Sequence, residues 1–175
     1  MRLRSFATIA TLLCISGCIA PPRGHIPPTR LFETFKPEEH APYRESGPNR
    51  VEGQAFLRQR GGTVVTCAGA KVVVAPATDF IREVLAFIRA GGDLASLPIP
   101  GREYQSILRQ TTCDAQGNFA IANLPAGRWI VATGVEWTVG RERQGGTVQR
   151  EIVLPSSERI LLTDDDHSGP ALLTR

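Results

Sequence analysis

Residues 113–131, CDAQGNFAIANLPAGRWIV, place a tight turn ahead of two strand-like stretches. In the turn, the Asp114 carboxylate can accept hydrogen bonds from backbone amides, and Gly117 can adopt a positive φ. Asn118–Leu124 reads as a strand, and from Trp129 to Trp137 every second residue is Trp, Val, Thr, Val or Trp. A period of two residues is typical of a strand with one buried face. The stretch therefore predicts a turn, a strand and a second, half-buried strand.

Further strand-like stretches occur on both sides of this unit. They are Val51–Leu57, Thr63–Thr66, Val72–Val74, Gln105–Thr112, Thr147–Leu154 and Arg159–Thr163. Only 6% of the residues are aromatic, and the 17 glycines and 13 prolines suit short strands joined by turns more than long helices. A chain of 175 residues has room for one ordinary domain with extensions. The composition and the pattern together predict an all-β domain.

One segment, residues 79–90, departs from the strand pattern. Thr78 or Asp79 can cap a helix at its start, and Gly91-Gly92 can end it. At helical spacing one face of this segment collects Phe80, Ile81, Val84, Leu85 and Ile88. We predict one α-helix over about residues 79–90, inserted between two strands and covering a sheet edge or face, followed by a loop.

The motif at residues 113–131 resembles the carboxypeptidase regulatory-like (transthyretin-like) β-sandwich family, whose pattern there is T-x-x-D-x-x-G-x-F-x-F-x-x-L-x-x-G-x-Y-x-V. Residues 51–53 (VEG) and 70–74 (AKVVV) are similar to two further strands of that family. The resemblance covers about residues 51–163, and it implies a seven-stranded Greek-key sandwich with accessory or binding roles and no catalysis. Trp129 stands where the family usually has Tyr. The fixed positions of the motif are filled by Asp114, Gly117, Phe119, Leu124 and Gly127.

The N-terminal segment has the pattern of a bacterial lipoprotein signal. Met1–Arg4 carries two arginines, and Phe6–Ile15 is an apolar run of ten residues. A membrane-spanning helix needs about 20 such residues, so this run reads as a signal-peptide core. The sequence Ile15-Ser16-Gly17-Cys18 resembles the lipobox, in which the cysteine becomes the lipidated N-terminus. We predict a signal peptide over residues 1–17 and a membrane anchor on Cys18, with an ordinary secretory signal as the alternative.

A lipid on Cys18 would place the protein in the bacterial cell envelope. In enterobacterial lipoproteins, which this signal resembles, an aspartate directly after the lipidated cysteine favours retention in the inner membrane. Here Ile19 is at that position, so we predict that the anchor lies in the outer membrane and that the protein faces the periplasm. Residues 18–50 contain seven prolines and predict a Pro-rich, mostly unstructured tether. Phe35 belongs to the only sizeable apolar cluster of this tether, which could dock on the domain or stay undocked. Residues 164–175 predict an acidic, flexible tail.

After removal of the signal peptide, Cys67 and Cys113 are one even pair of unmodified cysteines in an oxidising compartment. In a transthyretin-like sandwich the strand ends that carry them could be neighbours. We therefore expect a structural disulfide between them. A redox-active or metal-binding pair lacks support because the chain has no Cys-x-x-Cys spacing.

Charge and motif content argue against several function classes. Of 20 Lys and Arg, two (Arg2 and Arg4) lie in the predicted signal peptide, which leaves 18 against 17 acidic residues and no nucleic-acid-binding footprint. No zinc-peptidase or serine-nucleophile motif occurs, so we predict no catalytic residue and no cofactor. The run Asp164-Asp165-Asp166-His167 could hold a hard cation, but such runs are usually solvated termini, so no metal site is predicted.

The predicted function is that of a non-enzymatic envelope lipoprotein whose β-sandwich is a protein-interaction or structural module. Its partner would be an envelope protein or peptidoglycan, bound through the inserted helix or the loop over residues 92–104. The alternative is an accessory carbohydrate-binding domain with Trp137 as a platform on which sugars stack. An exposed apolar patch on the helix would favour the first reading, and an exposed aromatic beside a shallow groove would favour the second.

Overall fold

The computed structural model describes residues 35–89, 101–155 and 159–168. The predicted signal peptide, Cys18 and most of the loop over residues 92–104 lie outside these ranges. The described helices are α1 (Pro37–Arg44), α2 (Asp79–Arg89) and α3 (Gly101–Ile107). The described strands are β1 (Asn49–Arg58), β2 (Val64–Thr66), β3 (Lys71–Pro76), β4 (Arg109–Thr112), β5 (Asn118–Leu124), β6 (Gly127–Val139), β7 (Glu142–Leu154) and β8 (Arg159–Leu162). In these ranges no helix has the length and apolar character needed to cross a membrane.

The strands form two four-stranded sheets. In sheet 1, β1 pairs antiparallel with β2 and β5 and parallel with β8, whereas sheet 2 has the antiparallel order β4-β3-β6-β7. Because Gly53 is paired with both Phe119 of β5 and Ile160 of β8, these two strands lie on opposite edges of β1. The predicted two-sheet β-sandwich is confirmed in this form. The described ranges contain eight strands where seven were expected.

The core between the sheets follows the two-residue period of the strands. Val51, Ala55 and Leu57 of β1 are all buried, while the residues between them face outward. Sheet 2 contributes alternate residues of β3 and β6 to the same cluster. At Gly53 a Cβ atom would lie 2.6 Å from the Phe119 ring and 2.7 Å from the Ile160 carbonyl oxygen, so the close packing of the core requires glycine there.

Helices form a third layer on the outer face of sheet 2. The predicted helix is confirmed as α2, which ends at Arg89, and its buried residues are Phe80, Ile81, Val84 and Phe87. They pack against Ala75 and Ile130, which point away from the sandwich core. The expectation of a single helix was wrong, since α1 and α3 join this layer. Residues 105–107, expected in a strand, belong to α3 because Ile107 is fully buried under the helical layer.

Residues 35–50 belong to the folded domain, although the sequence predicted a tether up to residue 50. The His40 ring stacks on Phe35 at 4.7 Å between centroids and meets Phe80 edge-on at 5.9 Å. Its ring nitrogens are 2.8 Å from the Lys36 carbonyl oxygen and 3.0 Å from Thr78 Oγ1. At the end of α1, the Arg109 guanidinium donates hydrogen bonds to the carbonyl oxygens of residues 43, 44 and 45. A buried, fully bonded histidine and this capping arginine hold the segment in place.

The beginning of the expected flexible tail is also folded. Asp164–Asp166 forms a 3-10 turn, in which Asp166 accepts hydrogen bonds from Arg150 Nε (2.8 Å) and Nη2 (2.7 Å). Asp164 accepts one from the Arg58 amide at 3.0 Å, and the Ser168 amide donates to the Thr147 carbonyl at 2.9 Å. The aspartates are therefore partners of strand residues, and the prediction of a flexible tail was wrong for residues 164–168.

Candidate ligand-binding groove

A polar groove of about 350 Å³ opens on the outer face of sheet 1. This volume is near the lower end of the range typical of sites for small ligands, about 300–1,000 Å³. The groove is formed by three strands of sheet 1, the edge strand of sheet 2 and the turn between β4 and β5. Its lining residues are Arg50, Glu52, Thr111, Thr112, Asp114, Asn118, Phe119, Ala120 and Arg159.

Strand alternation and register bring the charged side chains of the groove together. Val51 and Gly53 are buried, so Arg50 and Glu52 project from the opposite face of β1. The register then places Glu52 beside Ala120 of β5 and beside Arg159 of β8. Residues far apart in the chain share one surface because their side chains point to the same face of neighbouring strands.

The two carboxylates of the groove already have partners. Glu52 Oε1 lies 2.5 Å from Arg50 Nη2 in an ion pair. Asp114 Oδ1 accepts hydrogen bonds from the amides of Gln116 (2.9 Å) and Asn118 (2.8 Å), and the Asn118 side chain donates to Asp114 Oδ2 at 3.1 Å. The Asn118 side-chain bond, supported by the backbone amides, lowers the pKa of Asp114 from its ordinary value. Asp114 is thus a negatively charged turn residue on the wall of the groove.

Arg159 differs from the other charged residues of the groove because its side chain makes no hydrogen bond or ion pair with any described residue. Its side chain is exposed on β8, next to the Arg50–Glu52 pair. A guanidinium carries five N–H donors in a planar fork, and no described residue accepts a hydrogen bond from those of Arg159. The hydroxyls of Thr111 and Thr112 add groups that can both donate and accept.

The other residues of the motif have structural positions. Gly117 has φ +79°, and a Cβ atom there would be 2.9 Å from the Ala55 carbonyl oxygen. Phe119 is buried in the sandwich core, and Gly127 has φ +145° with its α-carbon against the Tyr43 ring. Asp114 was expected to act in the turn alone, whereas the structure also places it in the wall of the groove.

The predicted disulfide is confirmed. Cys67 and Cys113 are bonded, with a Cα–Cα distance of 5.8 Å. The bond joins the residue that follows β2 in sheet 1 to the residue that follows β4 in sheet 2, so it ties the two sheets together. Cys113 directly precedes Asp114, and the disulfide therefore also fixes one end of the turn that lines the groove.

Trp137, the expected platform for a sugar, does not lie in the groove. It is half-buried on β6 beyond Thr133, the last residue that pairs with β3, and its ring packs against the core and Gly145. The aromatic residue that lines the groove is Phe119, which is 5% exposed and belongs to the core. The described groove therefore has hydrogen-bonding groups and charges but no exposed aromatic ring.

The helical layer contains a much smaller cavity. A cavity of about 50 Å³ lies between α2 and sheet 2, with apolar side chains around it. That volume is far below the range for ligand sites. Tyr104 lines this cavity, and burial raises the pKa of its hydroxyl to about 12. Among the described residues, no three His, Cys, Asp or Glu side chains are grouped closely enough to hold a metal ion.

Six polar residues of the groove were not singled out from the sequence: Arg50, Glu52, Thr111, Thr112, Asn118 and Arg159. Each is an outward-facing or edge residue of a strand, where polar side chains are the rule. The one signal available was the R-x-E pattern at residues 50–52, next to the V-x-G strand motif. Without the register of β1, β5 and β8, that pattern could not be connected to residue 159.

No family model matches this chain, and no curated protein matches it in sequence. Its fold is similar to the crystal structure of a "putative carbohydrate binding protein" from Pseudomonas aeruginosa, with a TM-score of 0.61 and 22% sequence identity. The similarity covers 74% of this chain and 97% of the other. At this level of identity, the comparison establishes a shared fold.

Proposed function

We propose that this chain is a non-enzymatic binding module of the bacterial cell envelope and that it holds a carbohydrate in the groove on sheet 1. The observation that carries the proposal is the convergence of polar side chains from four strands in one open groove. Sugar hydroxyls both donate and accept hydrogen bonds, and the groove offers guanidinium donors, carboxylate acceptors and threonine hydroxyls. The Pseudomonas aeruginosa protein, which is named for carbohydrate binding, supports this choice of ligand.

The character of the surfaces favours a carbohydrate over a protein partner. Stable protein interfaces usually have an apolar, aromatic-rich centre. The apolar face of α2 is turned into the helical layer, where Phe80, Ile81 and Val84 are each at most 2% exposed. The sequence-based preference for a protein-interaction module, with an envelope protein as partner, therefore becomes the second candidate. Peptidoglycan, which has a sugar backbone, stays compatible with the groove.

The state of the groove carboxylates supports a binding role without catalysis. A general acid needs a pKa raised toward the working pH, whereas the pKa of Asp114 is lowered by its hydrogen bonds. Glu52 is engaged by Arg50 in an ion pair. Both carboxylates are thus engaged as hydrogen-bond acceptors within the protein.

We further propose that the fold is of the carboxypeptidase regulatory-like type, with Greek-key connectivity. Two features support this assignment. The carboxylate of Asp114 organises the turn before β5, and the next three positions of the motif, Gly117, Phe119 and Leu124, are all buried. These structural roles of the motif positions are what supports the assignment.

The anchor on Cys18 is part of the proposal, with the outer membrane as the expected location. The described chain begins at Phe35, which packs in the helical layer against Phe80. The groove lies across the sandwich, on the outer face of sheet 1. A chain anchored through its N-terminus would therefore present the groove on the side away from its point of entry.

Filling the groove is expected to abolish carbohydrate binding without unfolding the domain. Ala120 projects from β5 into the groove beside Glu52, so Ala120→Trp would occupy the space that a sugar ring needs. Ala122, the next outward residue of β5, is exposed and does not line the groove, which makes Ala122→Trp the matched control. The purified full-length chain, in detergent, would be screened on an array of neutral and acidic envelope glycans, and the bound glycans titrated by calorimetry.

We expect Ala120→Trp to weaken the affinity for the bound glycans at least about tenfold, equivalent to about 1.4 kcal/mol, and Ala122→Trp to change it less than twofold. Circular dichroism would check that both variants keep the fold. An array on which the wild-type chain binds no glycan would contradict the carbohydrate proposal. Equal binding by the two variants would place the site elsewhere.

Replacing Cys18 by alanine is expected to release the protein from the membrane. The thioether that carries the lipid needs this thiol, and acyl chains supply the membrane affinity at about 0.8 kcal/mol per buried CH₂. The measurement is partitioning between detergent and aqueous phases after expression in a bacterial host. Cys14→Ala, within the same predicted signal peptide, is the control and should leave partitioning unchanged. Retention of the Cys18→Ala variant in the detergent phase would argue against the anchor.

A further inference from the structure

One arginine of the groove differs from the other arginines on the described strands in having no side-chain partner among the described residues. The described strands carry seven arginines, and six of them bind a carboxylate or backbone carbonyl groups of the protein. The carboxylate partners are Glu52 for Arg50, Asp164 for Arg58, Glu151 for Arg128, Glu136 for Arg143 and Asp166 for Arg150, while Arg109 caps α1. The seventh, Arg159, has no such partner among the described residues, and it is the one that lines the groove beside the Arg50–Glu52 pair.

Neither carboxylate of the groove takes up this guanidinium. Glu52 is the residue paired with Arg159 in the β1–β8 register, yet its carboxylate binds Arg50. Asp114 uses its oxygens on Gln116 and Asn118 within its own turn. The acceptors of the groove are therefore largely occupied by protein donors, whereas the donors of Arg159 are available.

From this imbalance we infer that the groove selects acidic carbohydrates and that Arg159 binds the carboxylate of the sugar. The inference rests on the proposed function, because it specifies the ligand of the same groove. A guanidinium can hold a carboxylate through two parallel hydrogen bonds, and these charge-assisted bonds are stronger than bonds between neutral groups. Thr111 and Thr112 line the same groove, where threonine hydroxyls can donate hydrogen bonds to sugar hydroxyls and accept hydrogen bonds from them.

Two kinds of envelope glycan carry a carboxylate: uronic acid polysaccharides, which carry it on the sugar ring, and peptidoglycan, which carries it on the peptide attached to its lactyl group. Trigalacturonic acid and its methyl ester form a matched pair for the first kind, because esterification removes the charge and keeps the sugar rings. Muramyl dipeptide and its fully amidated form serve the second. The affinity of the full-length chain for each of the four probes would be measured by calorimetry at low salt and at physiological salt.

We expect the acid of at least one pair to bind about five- to tenfold more tightly than its neutral form, with a smaller ratio at the higher salt concentration. The pair that shows the preference identifies the source of the carboxylate. Arg159→Gln should reduce the ratio to about one, because it weakens the binding of the acid form more than that of the neutral form. Arg141→Gln, which removes the same charge from the exposed β6–β7 turn outside the groove, should leave the ratio unchanged.

The outcomes separate this inference from the proposed function. Equal affinity for the acid and neutral forms in both pairs would overturn the selection of acidic sugars, while carbohydrate binding itself would stand. A preference that persists in Arg159→Gln, or that Arg141→Gln also removes, would overturn the role of Arg159. If the wild-type chain binds neither these probes nor any glycan on the array, both the inference and the proposed function are wrong.

Discussion

Replacing Cys67 and Cys113 together by alanine is expected to lower the free energy of unfolding by about 4 kcal/mol. The disulfide closes a loop with a sequence separation of 46 residues. In the chain-entropy description, a cross-link over a loop of this length removes conformations from the unfolded chain worth about 4 kcal/mol. Both cysteines are at most 4% exposed, so alanine avoids leaving a buried hydroxyl without a partner. This loss is a large fraction of the 5–15 kcal/mol that typically stabilises a domain.

Urea unfolding followed by tryptophan fluorescence would measure this loss. Addition of a reductant provides the control, because it should destabilise the wild-type chain toward the level of the double variant and leave the variant itself unchanged. A double variant within about 1 kcal/mol of the wild type would show that the sheets are held together without the covalent link. A reductant effect of equal size on both proteins would show that the reductant acts on something other than this bond.

The features that sequence predicted well are those with local causes. The turn at residues 114–117 needs a side-chain acceptor and a positive φ, and Asp114 and Gly117 supply them within four residues. The strands on either side show the two-residue period directly, and the apolar face of α2 shows helical spacing. The cysteine pair followed from an even count combined with the resemblance to a known sandwich.

The features that sequence did not predict depend on contacts between distant segments. Pro37 and Pro42 suggested an extended tether, yet α1 begins at Pro37, where a missing amide costs nothing. The position of α1 depends on His40 contacting Phe80 and on Arg109 binding the end of the helix, both far along the chain. Similarly, α3 forms where Ile107 is buried beneath the helical layer.

In strand β6, one face was predicted correctly from the sequence and the other was not. The pattern from Trp129 to Trp137 predicted one buried face, and Trp129, Val131 and Val135 indeed point into the core between the sheets. The other face was expected to meet solvent. It is buried instead at Ile130 and Ala132, because the helical layer covers sheet 2. A two-residue period of apolar residues indicates that a strand has two different faces. The sequence of the strand alone does not indicate what covers the second face.

The groove was the least predictable feature for the same reason. Polar residues at outward positions of a strand are ordinary, so Arg50, Glu52 and Arg159 gave no motif. Their proximity follows from the register of β1 with β8, which joins residues more than 100 positions apart. Only after that register is known does the lack of a partner for Arg159 become informative.

Replacing Trp129 by alanine is expected to cost about 3–5 kcal/mol of unfolding free energy, the range measured for large aromatic residues in well-packed cores. The Trp129 side chain is fully buried, and its ring meets that of Tyr43 edge-on at 5.0 Å between centroids. Its Nε1–H donates a hydrogen bond to the Pro125 carbonyl oxygen at 3.2 Å. The substitution therefore removes core volume, an aromatic contact that ties α1 to the sandwich, and a hydrogen bond.

Trp129→Phe separates these contributions, because it keeps an aromatic ring against Tyr43 and loses the indole donor and part of the volume. We expect it to cost about 1–2 kcal/mol, since one hydrogen bond to a partly buried carbonyl is worth about 1 kcal/mol. Urea unfolding followed by circular dichroism would give both values without depending on tryptophan fluorescence. If Trp129→Ala costs less than Trp129→Phe, or less than about 1 kcal/mol, Trp129 is not part of the close-packed core. In that case, β6 could not be the central strand that carries both the sandwich core and the helical layer.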